Sequence, residues 1–431
     1  MRICVYDNLA NNAYIITKLL RKMGYDAELG LNPDDRFPMS QPLWEELDFE
    51  MPLKQFANKS TNNWLEFEKE KGWERPYWIR YIGSSSSSRS KFRRDKAMAA
   101  VTHPKQTFKA ISRSCKGFYG LMHVFANLTR VIDLSDYDFV IGFGVGPSLA
   151  YLARVRYASV AYGGDLLVIP FQTDDANWRI REIAKLQRIA YQKSETTLVG
   201  ADPTYLDALE RIDASRNLHH VTFPIDPMAY APSKSHLEDL IEPMASRRAY
   251  GKTVMLVPSR VDFQVKGTDK VLRAFARLVR ERKDVFLIML GWGFDLEKAK
   301  SIVSVLGINE HIYFHPYIVS KRRLVRLINA ADIIFDQFSA SGAYGTTTME
   351  TMACGKPLIT NIDWKRLKAH VPEKPPIIEA KSEEDILQGM QSLCNSELRE
   401  TVGQAARDWI LSTHSESNFL ELMKVVIPRA K

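Results

Sequence analysis

Cysteine is scarce in this chain: four stand in 431 residues, at Cys4, Cys115, Cys354 and Cys394, and no two form a CxxC pair. That pattern excludes a disulfide framework and a structural zinc module, and it predicts a reducing, cytoplasmic setting. Long apolar runs are also missing. The least polar stretch, FVIGFGVGPSLAYLA, is followed by Arg154 and Arg156, and it falls short of the ~20 residues a bilayer-spanning helix needs. The start MRICVYDNLANN turns polar after one short apolar run, which predicts no signal peptide. No His, Asp and Cys spacing resembles a metal site. His219 and His220 lie in LHHVTF and read as core or edge residues of a strand, not as ligands. Glycine is absent from Asn8 to Ala13, just after the first apolar run, so close backbone approach to a phosphate is not expected there.

What is present describes a large globular chain. Hydrophobic residues make up 45% and charged residues 26%, ordinary proportions for a folded protein, and the length predicts two or three domains. Short apolar runs alternate with helical patterns. RICVYD reads as a strand, NLANNAYIITKLLRKMGYDAEL as loop, amphipathic helix, glycine stop and second strand. YDFVIGFG, YASVAYGGDLL and SETTLVGA read as further parallel strands, with the basic helical run WRIREIAKLQRIAYQKS between the last two. The Pro-punctuated piece VTFPIDPMAYAP marks a domain exit, with the boundary near Pro224 to Ser235.

Two segments of the second half carry chemistry. In SASGAYGTTTMETMACGKPLITN, residues 339 to 361, Gly345 and the threonines Thr346 and Thr347 open a helix, with Glu350 about one turn inside it. Backbone N–H groups at such a start face outward, and the positive end of the helix dipole adds to them, so the place suits an anion. In SRVDFQVKG, residues 259 to 267, Arg260 and Lys266 follow the apolar run TVMLVP. An amide cradle with two cations on strand-end loops fits a diphosphate, and Glu350 fits a ribose diol. Each segment alone is also ordinary punctuation between strand and helix.

Taken together the two segments resemble the donor site of a family 4 retaining glycosyltransferase (glycosyl transferases group 1). Ser259-Arg260 stands where that family has Gly-Arg, and Lys266-Gly267 matches its Lys-Gly. VFLIMLGWG ends in Gly291 and Gly293 like the family's Gly-x-Gly strand; HIYFHPYI, SKRRLVRLINAADIIF and METMACGKPLIT follow in the family's order. The resemblance implies an α/β GT-B fold: two Rossmann-like domains facing across a cleft, with a C-terminal helix returning to the N-terminal domain. It places an acceptor domain at 1–230 with a basic insertion at about 36–135, a donor domain at 231–410 and the C-terminal helix at 411–431. It also implies transfer of a sugar from a nucleotide-diphosphate sugar to a polysaccharide, glycan or lipid-linked acceptor, with retention and without metal or other cofactor. The lack of an Asp-x-Asp dyad near any nucleotide-site motif agrees with the metal-free reading.

One departure stands out. The family carries two glutamates eight positions apart; Glu350 is the second, and Gly342 occupies the place of the first. Asp336-Gln337 offers polar groups just upstream, in a version of the motif that a branch of the family uses; Asp336 serves equally as a cap for loop amides. Tyr162-Gly163-Gly164-Asp165 ends one strand where the family has His-Gly-x-Asp. Asp165 is therefore the candidate catalytic group on the acceptor side, with an N-cap of the following helix as its plainer role.

The least familiar interval runs from 36 to 135. From Arg89 to Lys116 it holds nine Lys or Arg against the single acid Asp95, with Phe92, Phe108 and Phe118 nearby, in a chain of net charge +8. This segment suits an anionic membrane surface at the cytoplasmic face, and beside the serine run Ser84 to Ser88 it suits a solvated loop as well. The same charge raises a nucleic-acid-binding alternative, but no RNP-like or helix-turn-helix pattern accompanies it, so no nucleic-acid partner is expected. A third alternative keeps the fold without transfer: a nucleotide-sugar-binding subunit, motivated by Gly342.

Overall fold

The computed structural model describes residues 1–32, 35, 37–53, 64–83, 103–113, 122, 124, 126–338 and 342–428. It divides into two compact units, Met1–Leu43 with Asn62–Phe223 and Ser417–Lys431, and Trp44–Thr61 with Pro224–Glu416. The sequence boundaries stood at 230/231 and 410/411. Most of the basic segment from Arg89 to Lys116, including Phe92 and Asp95, and Phe118 beyond it lie outside the described residues; within the segment only the helix Pro104–Arg113 and His103 are described.

The first unit is a parallel sheet of strands β1 (Arg2–Tyr6) and β2 (Asp26–Leu31), then, after β3 (Glu50–Pro52) has gone to the other unit, β4 (Ile79–Tyr81), β5 (Phe139–Gly142), β6 (Arg156–Ala161), β7 (Thr196–Val199) and β8 (Leu218–His220). Their order is β4-β2-β1-β5-β6-β7-β8. Strands such as ICVY and FVIG are buried on both faces, which is why they read as unbroken apolar runs and not as alternating patterns. The order reverses direction between β1 and β5, so the loops after these strands form a topological switch point. His219 and His220 sit on the edge strand β8, partly exposed, as expected of edge residues.

The C-terminal chain makes two helices, Ser396–Thr413 and Glu416–Val426, and not one from 411 onward. The second belongs to the first unit: Phe419, Met423, Val426 and Ile427 pack with Ile3, Val5, Leu29 and Phe139. The return of the C-terminal helix to the N-terminal domain, expected from the resemblance, is present.

The second unit is a parallel sheet of β9 (Thr253–Val257), β10 (Val285–Leu290), β11 (Ile312–His315), β13 (Ile333–Phe335), β14 (Leu358–Thr360) and β15 (Ile378–Glu379), with β12 (Tyr317–Val319) standing apart. The order β11-β10-β9-β13-β14-β15 puts its switch point between β9 and β13. Helix Thr268–Glu281 closes one face through Val271, Leu272, Phe275 and Leu278. Residues 44–53, expected within an insertion of the first domain, instead pair with the second unit: β3 runs antiparallel to β12. No local pattern signals this pairing, because β3 is only three residues long and its partner strand lies more than 250 positions away.

Candidate functional site

The switch point of the second unit collects every residue expected to hold the donor. The loop after β9 carries Ser259, Arg260 and Lys266; Asp336 follows β13; and Gly345, Thr346, Thr347 and Glu350 follow Asp336 on the next loop and helix. Backbone bonds stitch these loops together. The Val261 amide donates to Trp292 O at 2.7 Å, and Phe338 N donates to Lys266 O at 3.0 Å. Asn361 N donates to Gln337 O at 2.8 Å. Gly293 has φ +129°, and a Cβ there would lie 2.2 Å from Val261 O. Only glycine lets the loops after β9 and β10 approach this closely.

Two buried ion pairs organise the site. Lys266 Nζ lies 2.7 Å from Asp336 Oδ1, and the Asp336 side chain has no exposed surface. Its second oxygen accepts from Thr348 Oγ1 at 2.8 Å. Asp336 thus fastens the cation of the β9 loop to the first turn of helix Thr346–Ala353. Gly345 supplies no capping side chain, and no acid stands in that first turn, so the dipole end there remains suited to an anion. Arg260 is more open and is held by Asp262, with Nε 3.1 Å from Oδ2.

The second pair was not foreseen. Lys321, first residue of helix Lys321–Ala330, donates to Glu350 Oε1. Glu350 is 1% exposed. Burial raises its carboxyl pKa, and the charge and hydrogen bond of Lys321 pull against that rise, together with a hydrogen bond from Tyr230. Here the carboxylate faces protein groups. The sequence signal for Lys321 was a basic residue opening SKRRLVRLINA, hidden among three consecutive cations.

Gly342 has a structural explanation. It holds φ +72°, and a Cβ would fall 2.6 Å from Asp363 N and 2.7 Å from Asp363 Cβ. Its carbonyl accepts from Asp363 N at 2.8 Å. A glutamate does not fit this loop. Gln337, next to Asp336, reaches across with Nε2 to Ala343 O.

Asp165 belongs to the first unit. Its Oδ2 accepts from Tyr191 OH at 2.9 Å and its Oδ1 from Tyr162 N at 3.2 Å. Burial pushes the carboxyl up to about 6, against the pull of those hydrogen bonds. Gln187 Nε2 donates to Gly144 O at 2.7 Å and to Asp165 O at 3.4 Å, joining the Asp165 turn to the loop after β5. On the other side of that loop stands Asp7, at the end of β1 with φ +72°. A Cβ on Gly144 would lie 2.3 Å from Asp7 Oδ2. Burial, then the charges of Asp35 and Asp165, push Asp7 up to about 7, with Arg130 and the Val145 amide opposing. Nothing in its local sequence marks Asp7, which follows an ordinary apolar strand. The glycine-free loop that follows is closed by Asn8 Nδ2 donating to Asn11 Oδ1 at 2.6 Å and tied to the segment after β2 by the same nitrogen donating to Ser40 O at 2.8 Å. Among the described residues no group of three His, Cys, Asp or Glu is placed to hold a metal ion.

Two parallel, doubly wound units with the charged residues gathered at a switch point define the GT-B class of fold. Residues 242–409 match the model of the family Glycosyl transferases group 1. An uncharacterized glycosyltransferase of Methanocaldococcus jannaschii is 23% identical over 171 residues, 39% of this chain and 43% of that protein. The GDP-mannose-dependent alpha-(1-6)-phosphatidylinositol monomannoside mannosyltransferase of Mycolicibacterium smegmatis is 26% identical over 245 residues, 55% of this chain and 61% of that protein. The chain thus spans about half the length of these relatives. Across the whole chain, the fold is similar to that of HepE of Anabaena, solved in complex with UDP and glucose, with a TM-score of 0.64, 11% identity and 99% of each chain covered.

Proposed function

We propose that this protein is a glycosyltransferase that takes a sugar from a nucleoside-diphosphate sugar and passes it to a glycan, polysaccharide or lipid-linked acceptor. The observation that carries this reading is the Lys266–Asp336–Thr348 chain, which holds a cation beside the start of helix Thr346–Ala353 at the switch point of the group 1 domain. Arg260 and Lys266 neutralise the leaving diphosphate, the amides of Thr346 and Thr347 receive its oxygens, and Gly345 keeps the approach open. Charge stabilisation of this kind does the work a divalent ion does in other transferases, so the reaction runs without metal. Glu350 then orients the ribose, its carboxylate accepting from the diol while Lys321 keeps hold of Oε1. HepE, solved with UDP and glucose, supports a nucleoside diphosphate as the ligand class. Transfer proceeds with retention, and Asp165 acts on the acceptor side, where a carboxyl titrating near neutrality accepts a hydrogen bond from the incoming hydroxyl. The mannosyltransferase relative, whose name specifies a phosphatidylinositol mannoside, favours a lipid-linked acceptor and attachment of the basic segment to an anionic membrane face. No helix among the described residues is long and apolar enough to cross a membrane.

The test is calorimetric titration of UDP and GDP into wild type, Arg260→Ala and Lys266→Ala, with unfolding measured alongside. Each charge-assisted contact is worth ~1.5–3 kcal/mol, so each variant is expected to bind about tenfold or more weakly. Arg260→Ala is the cleaner variant, because Lys266→Ala also strands the buried Asp336. Unchanged affinity in Arg260→Ala, with wild type binding well, contradicts the assignment.

A further inference from the structure

Residues 44–53 lie on the second unit, paired with a strand more than 250 positions away in sequence. β3 pairs with β12 through Tyr317–Pro52, Ile318–Met51 and Val319–Glu50. Phe49 and Ser320 then exchange two bonds, Ser320 N to Phe49 O at 2.9 Å and Phe49 N to Ser320 Oγ at 3.0 Å. Trp44 packs edge-on against Phe49 with ring centroids 4.7 Å apart, and both are buried. Ser320 is the N-cap of helix Lys321–Ala330, accepting from Arg323 N.

One residue further back, Asp48 forks across the same helix. Its Oδ1 lies 2.7 Å from Arg323 Nε, and its Oδ2 lies 2.7 Å from Arg326 Nη1. Glu46 adds a looser pair to Arg322, at 3.5 Å. The segment thus fixes the cap and the first two turns of helix 321–330. The first residue of that helix is Lys321, the partner of Glu350. The path from Asp48 to Glu350 is therefore short: carboxylate to two arginines, arginines to one helical turn, and that turn to the lysine.

We propose that residues 44–53 act as a clamp on the donor site, with Asp48 as a positioning residue that sets Lys321 and through it the orientation of Glu350. The clamp matters for function only in so far as Glu350 meets the nucleotide, so this part rests on the donor-site reading above. The Asp48 fork is partly exposed, its carboxylate at 30% and the arginines at 19% and 39%. Pairs at such exposure contribute little to global stability, so a loss confined to the donor site separates positioning from mere folding. A local effect is also expected because helix Lys321–Ala330 is short and Ser320 and this segment both hold its N-terminal turn, alongside the bond from Arg323 to Asp239 O.

The experiment combines hydrogen exchange with titration of UDP and GDP into the full chain. Asp48→Asn is expected to speed amide exchange in 321–330 and also in 346–353, while β10 stays as in wild type. It is expected to weaken nucleoside-diphosphate binding about three- to tenfold, with Asp48→Glu recovering part of the loss. In a Glu350→Gln background the same change adds no further loss, because the two act through one contact. Exchange at 346–353 that stays at the wild-type rate, or losses that multiply in the double variant, overturns the clamp. Wild type that binds neither UDP nor GDP overturns the donor-site reading alone; exchange at 346–353 then still decides the clamp. Should Asp48→Asn fail to fold, Arg326→Gln is read by the same criteria.

Discussion

Gly342 shows how a single position can redirect a motif. Its left-handed backbone and the nearby Asp363 main chain leave no room for a side chain, and Gln337 Nε2 donates across the loop to Ala343 O instead. Gly342→Glu, which restores the family's pair of glutamates on paper, is expected to lower stability by roughly 2–4 kcal/mol, the combined cost of a strained φ and overpacking. Chemical denaturation measures this; a variant as stable as wild type refutes the steric account. Asp165 supplies a second residue-scale prediction. Its folded pKa, about 6, lies above the ordinary aspartate value of about 3.9. A raised value means the folded state binds the proton more tightly, so this contribution is complete below about pH 4 and is lost as pH rises through about 6. The first unit should therefore lose stability between pH 4 and 7, by roughly 2–3 kcal/mol from this group. Asp165→Asn should flatten that slope, as unfolding midpoints across the range will show. An unaltered slope removes Asp165 as its source.

At the scale of elements, the long buried strands and their helices were readable because their signal is local. VFLIML and FVIG are unbroken apolar runs, and KRRLVRLINA has the helical period. The donor loops were readable too, since Arg260, Lys266 and Glu350 sit at fixed offsets from strands. Lys321 and Asp48 were not readable, because their importance comes from partners 29 and 275 positions away. Asp7 was missed for a related reason: its environment is made by Gly144, Asp35 and Asp165, none adjacent in sequence. The C-terminal helix Glu416–Val426 packs on the first unit through Phe419, 1% exposed. Phe419→Ala is expected to cost ~3–5 kcal/mol, as other buried phenylalanines do. The loss should appear in melting of the first unit; a change below ~1 kcal/mol would show that the helix is not part of that core.

For the whole molecule, two parallel sheets each place a switch point where strand order reverses, and charged residues gather at both. In the second unit they are cations held by buried carboxylates, suited to a diphosphate. In the first they are carboxyls pushed toward neutrality, suited to a hydroxyl. That division of chemistry fits the transfer proposed above, from a nucleotide donor to a hydroxyl acceptor. The measurement that tests it most directly is turnover by the purified full chain of a panel of UDP-, GDP- and ADP-sugars, with and without glycan and lipid-linked acceptors, in EDTA. The account predicts release of one nucleoside diphosphate, increased by an acceptor, undiminished by EDTA and lost in Arg260→Ala. Tight binding of a nucleotide sugar with no turnover under any acceptor would contradict it, and would instead mark the chain as a binding subunit.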